Sequence, residues 1–458
     1  MKHKFTLSFF IACAFALCVA GTIKPTPAAD ASDTTNTPSA VVEISPANRV
    51  SASPDIAVGP DGGINVIWVD KGEAKPAAEA HAAAPRAAGP QAGGGGHSHK
   101  TYNNLYFARS TDGGRTFSQP LRISVKDGEL WGFATSRPRI AVGKSGVIHV
   151  FYHANRRDPS AARQAVDARY TRSTDGGKTF STPRALNSDS GGLDDGELSE
   201  AHCFGGMGVA PNGDVHAFWI DTRHMSSTKD NGSIYTAVSR NEGKTFERER
   251  MLFRATACPC CQLNVAFTPK GEVVLSSRNV TPDGARDSSI AVSKDGGRTY
   301  SAFVATTPNK WMIDACPLKP AMLGADKDGR IYAAWFSGAE KPAGSFFAVS
   351  EDGGKSFSTP IALHAEASTP DRPQIAVSGD GVVTVAWDAV AGQVRRVYLR
   401  VSTNHGKTFG PVVELDAPAG AANYPALAAT SDGKAFVAWQ QNNRVMIKEV
   451  TPLVARNR

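Results

Sequence analysis

Cysteine is the residue type here whose spacing most openly invites chemistry. Cys258, Cys260 and Cys261 stand together as Cys-Pro-Cys-Cys, Cys203 lies in EAHCFGG, and Cys316 lies in WMIDACPLKP. Two readings fit. In an oxidising compartment thiols pair, and two disulfides would tie neighbouring loops and leave one thiol over. Clustered thiols with His202 nearby are also a soft donor set suited to Cu or Zn. Adjacent cysteines rarely bond each other, so Cys-x-Cys-Cys is an unusual shape for a purely structural bridge. A second group is acidic: Asp194, Asp195, Glu197 and Glu200 in SGGLDDGELSEAH could move protons, bind a cation or simply solvate a loop. His81, His97 and His99 sit in an Ala/Gly/Pro-rich stretch whose glycine flanks preorganise nothing for a metal.

The cysteine readings depend on where the chain goes. MKHK gives a basic start, and Phe5 to Ala20 follows as an apolar stretch of signal-peptide length. Residues 1–20 are therefore expected to be a signal, cut after Ala20 or as late as Ala29, which removes Cys13 and Cys18. The expected location is periplasmic or secreted. Residues 21–40 read as a flexible tether, 41–452 as the folded domain, and 71–100 as a disordered insertion within it. No later apolar run reaches transmembrane length. Of the 458 residues 41% are hydrophobic, enough for a buried core, and the net charge of +7 is spread without a run of five like charges. That pattern implies weak attraction for anions and excludes a nucleic-acid stripe.

Two interleaved repeats must position these residues. One is an octapeptide: STDGGRTF from Ser110, STDGGKTF from Ser173, SRNEGKTF from Ser239, SKDGGRTY from Ser293, SEDGGKSF from Ser350 and STNHGKTF from Ser402. Asp112, Asp175, Asn241, Asp295, Asp352 and Asn404 are expected to fold back onto turn N–H groups, the glycines to take positive φ, and the last aromatic to pack between sheets. The other repeat is an apolar hairpin, as in PDIAVGPDGGINVIWVD (54–70) and PALAATSDGKAFVAWQ (425–440), with seven copies. Alternation of the two gives four strands per unit. The last unit lacks a fourth strand, and VVEIS (41–45) resembles the strands that follow the octapeptides. The chain is therefore predicted to be all-β, a seven-bladed β-propeller of four-stranded antiparallel blades whose N-terminal strand closes the last blade. Six blades with a stray hairpin is the rival.

The octapeptides resemble the Asp boxes, or BNR repeats, of the sialidase superfamily, and they span nearly all of the mature chain. That resemblance implies a sialidase-like propeller, and it bears on activity only through further residues. Active sialidases hold a substrate carboxylate with three arginines and add a tyrosine nucleophile paired with a glutamate, and an aspartate acid/base. The first inner strand here reads Ser53-Pro54, with no arginine. Later ones offer Arg137-Pro138, Lys319-Pro320, Arg372-Pro373 and Tyr424-Pro425. The resemblance would make Tyr424 and Glu200 catalytic, with Arg137, Arg372 and Lys319 binding the ligand. A third arginine and the acid/base are not apparent, so the set is incomplete. Alternatively these are ordinary residues of a channel mouth.

Strand alternation puts the octapeptides and the tight turns on one face, and the long loops and all five mature cysteines on the other. Rigid scaffolds carry their sites on such loops. Trp131 and Trp311 lie there too, able to stack on a sugar or to cover the core, and Asp221 is expected to pair with Arg223. Three functions follow: a binding or scaffold protein with a cysteine-rich rim, a sialidase-type glycoside hydrolase, or a metal-handling or redox protein using Cu or Zn. A glycan or protein ligand on the long-loop face is the expected partner, and a monomer the expected state.

Overall fold

The computed structural model describes residues 40–73, 103–133, 135–156, 165–188, 200–225, 230–307, 309–340, 343–364, 371–415 and 420–450. The expected signal and tether, nearly all of the insertion with His81, His97 and His99, and the run from Asp194 to Glu197 lie outside them. So does the side chain of Glu200.

Among the described residues every regular element is a strand. β1 is Val42–Glu43. Four-strand runs follow in chain order: β2 to β5 (Arg49–Val58, Ile64–Glu73, Asn104–Ser110, Leu121–Arg122), then β6 to β9 (Arg139–Val142, Ile148–Asn155, Ala165–Ser173, Arg184–Ala185). β10 to β13 are Glu200–Val209, Val215–Asp221, Gly232–Ser239 and Arg250–Ala257, and β14 to β17 are Asn264–Phe267, Val273–Val280, Arg286–Ser293 and Val304–Ala305. β18 to β21 are Met322–Ala325, Ile331–Ser337, Gly344–Ser350 and Ile361–Ala362, and β22 to β25 are Asp371–Val377, Val383–Ala391, Val394–Ser402 and Val413–Glu414. β26 to β28 are Ala422–Ala429, Ala435–Gln441 and Arg444–Glu449. Each run is an antiparallel meander. The three runs from β6 to β17 are joined into one twelve-stranded sheet by short bridges, β10 to β8 and β13 to β15. The last run is completed from the other end of the chain, as its missing strand demanded: β1 pairs with β28, Val42 opposite Ile447.

The first strands of successive runs touch in chain order, β2 to β6 and onward to β26, and β26 touches β2. Apolar burial follows the same order. Most buried clusters draw on two successive runs, such as Phe151 and Tyr170 with Trp219, or Ile64 and Trp68 with Phe436, and the one that holds the cysteines draws on three. Trp68, Trp219, Trp335, Trp387 and Trp439 hold equivalent places on second strands and are fully buried.

The octapeptides form the joints of this arrangement. In the first, Ser110 Oγ donates to Asp112 (2.7 Å), and Asp112 accepts from the Thr116 amide (3.0 Å) and hydroxyl (2.6 Å). The same pattern recurs at Asp175, Asp295 and Asp352, and with amide side chains at Asn241 and Asn404. The closing aromatic then wedges against the preceding run, Phe180 on Phe107 (5.1 Å between ring centres), Phe246 on Tyr170 (4.7 Å) and Phe409 on Phe347 (4.9 Å). The second glycine makes that approach fit. At Gly177, where φ is +85°, a Cβ would lie 2.3 Å from the Phe107 ring. At the first glycine position the third and sixth repeats carry Glu242 and His405, at φ of +54° and +61°, a conformation that side chains resist.

Two predictions follow from the joints. Gly177→Ala should destabilise the protein by about 2–4 kcal/mol in urea unfolding, through backbone strain and overpacking. Glu242→Gly should be neutral or gain up to about 1 kcal/mol, since Arg172 holds only the Glu242 carbonyl there (2.9 Å). The second concerns acid. Hydroxyl and amide donors of Thr116, Thr179, Thr299 and Ser356 hold the four box aspartates below the usual carboxylate range. A depressed folded value contributes stability above the unfolded value, and that contribution fades as pH falls through the folded one. As pH falls below about 4, hydrogen exchange at the amides of Thr116 and Thr179 should therefore speed up relative to that at Thr245 and Thr408, whose Asn partners do not titrate.

Candidate functional site

Where the first strands begin, the backbone is kinked in a repeated way. Ser53, Arg372 and Tyr424 each precede a proline with φ near +50° (50°, 50° and 56°), and Phe204 does so before Gly205 (50°). Each sits at a register break in its strand. Such a bulge turns one side chain out of the ladder, at a backbone strain of about 1–3 kcal/mol per residue. Something must hold these positions.

At Arg372 and Tyr424 it is Asp388, a fully buried carboxylate on β23. Asp388 accepts from Arg372 Nη1 (3.0 and 3.1 Å), from Arg395 Nη1 (2.5 Å) and from the Tyr424 amide (2.8 Å). Arg372 also faces Asp371 (3.4 Å), and its guanidinium lies 4.4 Å from the centre of the Tyr424 ring. Burial opposes the charge on Arg372, but Asp388 and Asp371 outweigh it and raise its pKa. Lys319 Nζ reaches Asp371 at 2.6 Å and lies 4.8 Å from the centre of the Phe336 ring. Burial lowers the Lys319 pKa despite Asp371. Arg372, Tyr424 and Lys319 are thus brought together, in one network with two carboxylates and Arg395.

Arg137 lies in a different setting. It is 4% exposed, and its Nη1 donates to the carbonyls of Pro425 (3.0 Å) and Pro54 (3.3 Å). Burial pulls its pKa down to about 10. From the fourth run, Gln262 Nε2 donates to the Arg137 carbonyl (2.7 Å) and the Gly205 carbonyl (2.9 Å). Arg137 and Gln262 therefore tie together the beginnings of the first, second, third, fourth and seventh runs.

The thiols form a second centre. All five described cysteines are free, so the two disulfides expected of an exported chain are not formed in this structure. Cys258, Pro259, Cys260 and Cys261 make a turn closed by the Cys261 amide on the Cys258 carbonyl (3.3 Å), with proline in its favoured second position. The turn gathers three sulfur atoms within 4.8 Å of one another. Cys258 Sγ is 3.5 Å from Cys260 Sγ and 3.9 Å from Cys261 Sγ, and Arg286 Nη1 donates to it at 3.2 Å. Thiol donors from Cys260, Cys261 and Cys316 hold the Cys258 pKa low against burial, with help from Arg286. Cys260, as a donor, is held high. Cys316 is the exposed member. Arg286 fixes the segment that leads to Cys316: its Nε donates to the Ile313 carbonyl (3.1 Å) and its amide to the Trp311 carbonyl (2.9 Å).

Cys203 and His202 are turned elsewhere. Cys203 is buried in the same apolar cluster, but its sulfur is not one of the three gathered atoms, and burial pushes its thiol pKa up. His202 Nδ1 meets the Val166 carbonyl (2.6 Å) and Nε2 faces Asp221 (3.5 Å). Asp221 also pairs with Arg223 (2.6 Å), as expected. Trp131 is a buried cover, edge-on to Phe133 and Phe204, and Trp311 lies under the Arg278 guanidinium, 5.0 Å from its ring centre. The sequence reading missed Asp388, Asp371, Arg395, Gln262 and Arg286. The aspartate next to Arg372-Pro373 and the one ending VAWD were the available signals.

Asp388 carries the bulged entrances, so Asp388→Asn should lower stability by about 3 kcal/mol, by leaving buried guanidinium groups short of a counter-charge. Chemical denaturation of the purified variant measures this. Near-UV dichroism should change with it, through the Tyr424 ring.

No protein-family model and no curated protein matches the chain. Solved structures do. A protein of unknown function from Dyadobacter fermentans DSM 18053 is 15% identical, with 89% of this chain and 98% of that chain covered, at a TM-score of 0.50. The Hadza microbial sialidase Hz136 is 14% identical over 76% of this chain and 73% of that one, at 0.49. The intramolecular trans-sialidase from Ruminococcus gnavus, in complex with oseltamivir carboxylate, is 12% identical over 91% and 98%, at 0.47. At these identities the likeness to known proteins is one of fold alone.

Proposed function

We propose that this chain is an exported seven-bladed propeller of the sialidase-like kind that acts as a binding protein and not as a glycosidase. The four-strand runs are its blades, β1 is the outer strand of the last, and the first strands line the channel. The cyclic contacts of those strands and the clusters shared between neighbours support this closure. The ligand, a glycan or a protein, is taken up on the long-loop face, outside the cell membrane, by a monomer.

One observation carries the non-catalytic reading: the guanidinium of Arg372 is already ion-paired from within, through Nη1 to Asp388 and Nη2 to Asp371, and only its Nε is left without a partner. A substrate carboxylate would have to displace Asp388, which is fully buried and held by three donors. Arg137 is turned to backbone carbonyls, and Lys319 to Asp371. Among the described residues no carboxylate accepts from the Tyr424 hydroxyl, and a tyrosine nucleophile needs such a base. The test is hydrolysis of a fluorogenic sialoside from pH 4 to 8. The mature protein should release no more fluorophore than Tyr424→Phe does. Saturable turnover that Tyr424→Phe abolishes would overturn the reading.

A further inference from the structure

We propose that the turn of Cys258, Cys260 and Cys261, with Cys316 beside it, binds one thiophilic d10 cation, Cu(I) or Zn(II). This site is separate from the Arg372 network, and the proposal stands whatever that network does.

Spacing is the first argument. A cation bound tetrahedrally at sulfur distances of about 2.3 Å separates its sulfur ligands by about 3.8 Å. The two sulfur distances here, 3.5 and 3.9 Å, bracket that value with no movement of the backbone. A disulfide would need a contraction to about 2.05 Å, and it would engage two of the three thiols and leave the third buried beside it. The turn is also braced against change. The Cys258 amide donates to the Arg278 carbonyl (2.8 Å), Pro259 fixes the second position, and Gln262, next in sequence, is locked to Arg137 and Gly205.

Charge is the second argument. Three thiolates around a monovalent ion carry a net charge of −2, and four around a divalent ion carry the same. Burial makes that charge costly, and Arg286, 3.2 Å from Cys258, offsets half of it. A neutral thiol is a poor acceptor and would give a guanidinium little reason to stay there. Arg286 also holds the segment that carries Cys316, so one side chain offsets charge and positions the outer ligand. Access is the third argument. Cys258, Cys260 and Cys261 are buried and Cys316 is exposed, so Cys316 is the thiol that an ion in solvent meets first. No oxidation change is involved: each thiol that becomes a ligand releases its proton to solvent as the ion binds.

The experiment uses the reduced mature protein under anaerobic conditions, titrated separately with Cu(I) against a competing bicinchoninate probe and with Zn(II) against a colorimetric chelator. One equivalent of one of these ions should survive desalting. Cys260→Ser/Cys261→Ser should lose it by at least tenfold in affinity, and Cys203→Ser should retain it. Cys316→Ser separates the two ions: loss of a four-coordinate Zn(II) complex assigns zinc, while Cu(I) bound by the three inner thiols persists. No retained ion in the wild-type protein would overturn the proposal, and that reading requires no variant to fold. So would an ion retained by Cys260→Ser/Cys261→Ser, or peptide mapping of natively isolated protein that finds Cys258 bonded to Cys260 or Cys261. The sialoside assay is blind to all of these outcomes.

Discussion

The wedge between neighbouring four-strand runs is the interaction on which the rest depends. A four-strand meander of this size cannot bury both faces by itself, so each buries its apolar side chains against the next. The octapeptide makes that contact close. Its serine and aspartate satisfy the turn locally, its second glycine takes a φ that leaves no side chain in the gap, and its aromatic enters the preceding run. The strength of the joint comes from the missing Cβ at Gly177 as much as from the ring of Phe180 against Phe107. The aspartate has no other task, and Asn241 and Asn404 replace it without loss of the turn.

Contacts between successive first strands bring their entrances together, and crowding there creates an electrostatic problem. Arg137, Lys319, Arg372 and Arg395 converge on one end, with Asp371 and Asp388 among them. Burial penalises each charge unless a partner is close. The molecule resolves this internally. Arg137 uses the carbonyls of two runs, and Asp388 binds two guanidinium groups and the amide of a strained tyrosine. These pairings engage guanidinium nitrogens that a carboxylate ligand would otherwise meet first.

The all-β strand order was legible because its causes are local. Turn chemistry within eight residues, alternation within a strand and a missing fourth strand all leave marks in the sequence, and β1 pairing with β28 is what those marks required. The network around Arg372 was legible only in part. Its arginine, tyrosine and lysine announced themselves by preceding proline. Asp388 did not, since its partners lie on another strand and in another run, and an aspartate ending VAWD looks like any strand terminus. Arg137 shows the limit most clearly: one of its acceptors is the carbonyl of Pro425, 288 residues away. A backbone carbonyl leaves no residue-type signal at all.

The thiols mark a different limit. Compartment predicts what free thiols tend to become, but geometry decides which of them can meet. Here the turn with proline at its second position brings the sulfur atoms of its first, third and fourth residues within 4.8 Å of one another, while Cys-Pro-Cys-Cys by itself shows only their spacing. What sequence could not supply was the cation across from them. Arg286 lies on a strand of the next run, 28 residues from Cys258, and reaches both the thiol and the segment that carries Cys316. A cluster of three thiols without that guanidinium would be a packing feature of an apolar interface. With it, the interface sets one positive charge beside the gathered thiols, and that charge, as much as the count of cysteines, distinguishes this turn from the other first-strand entrances.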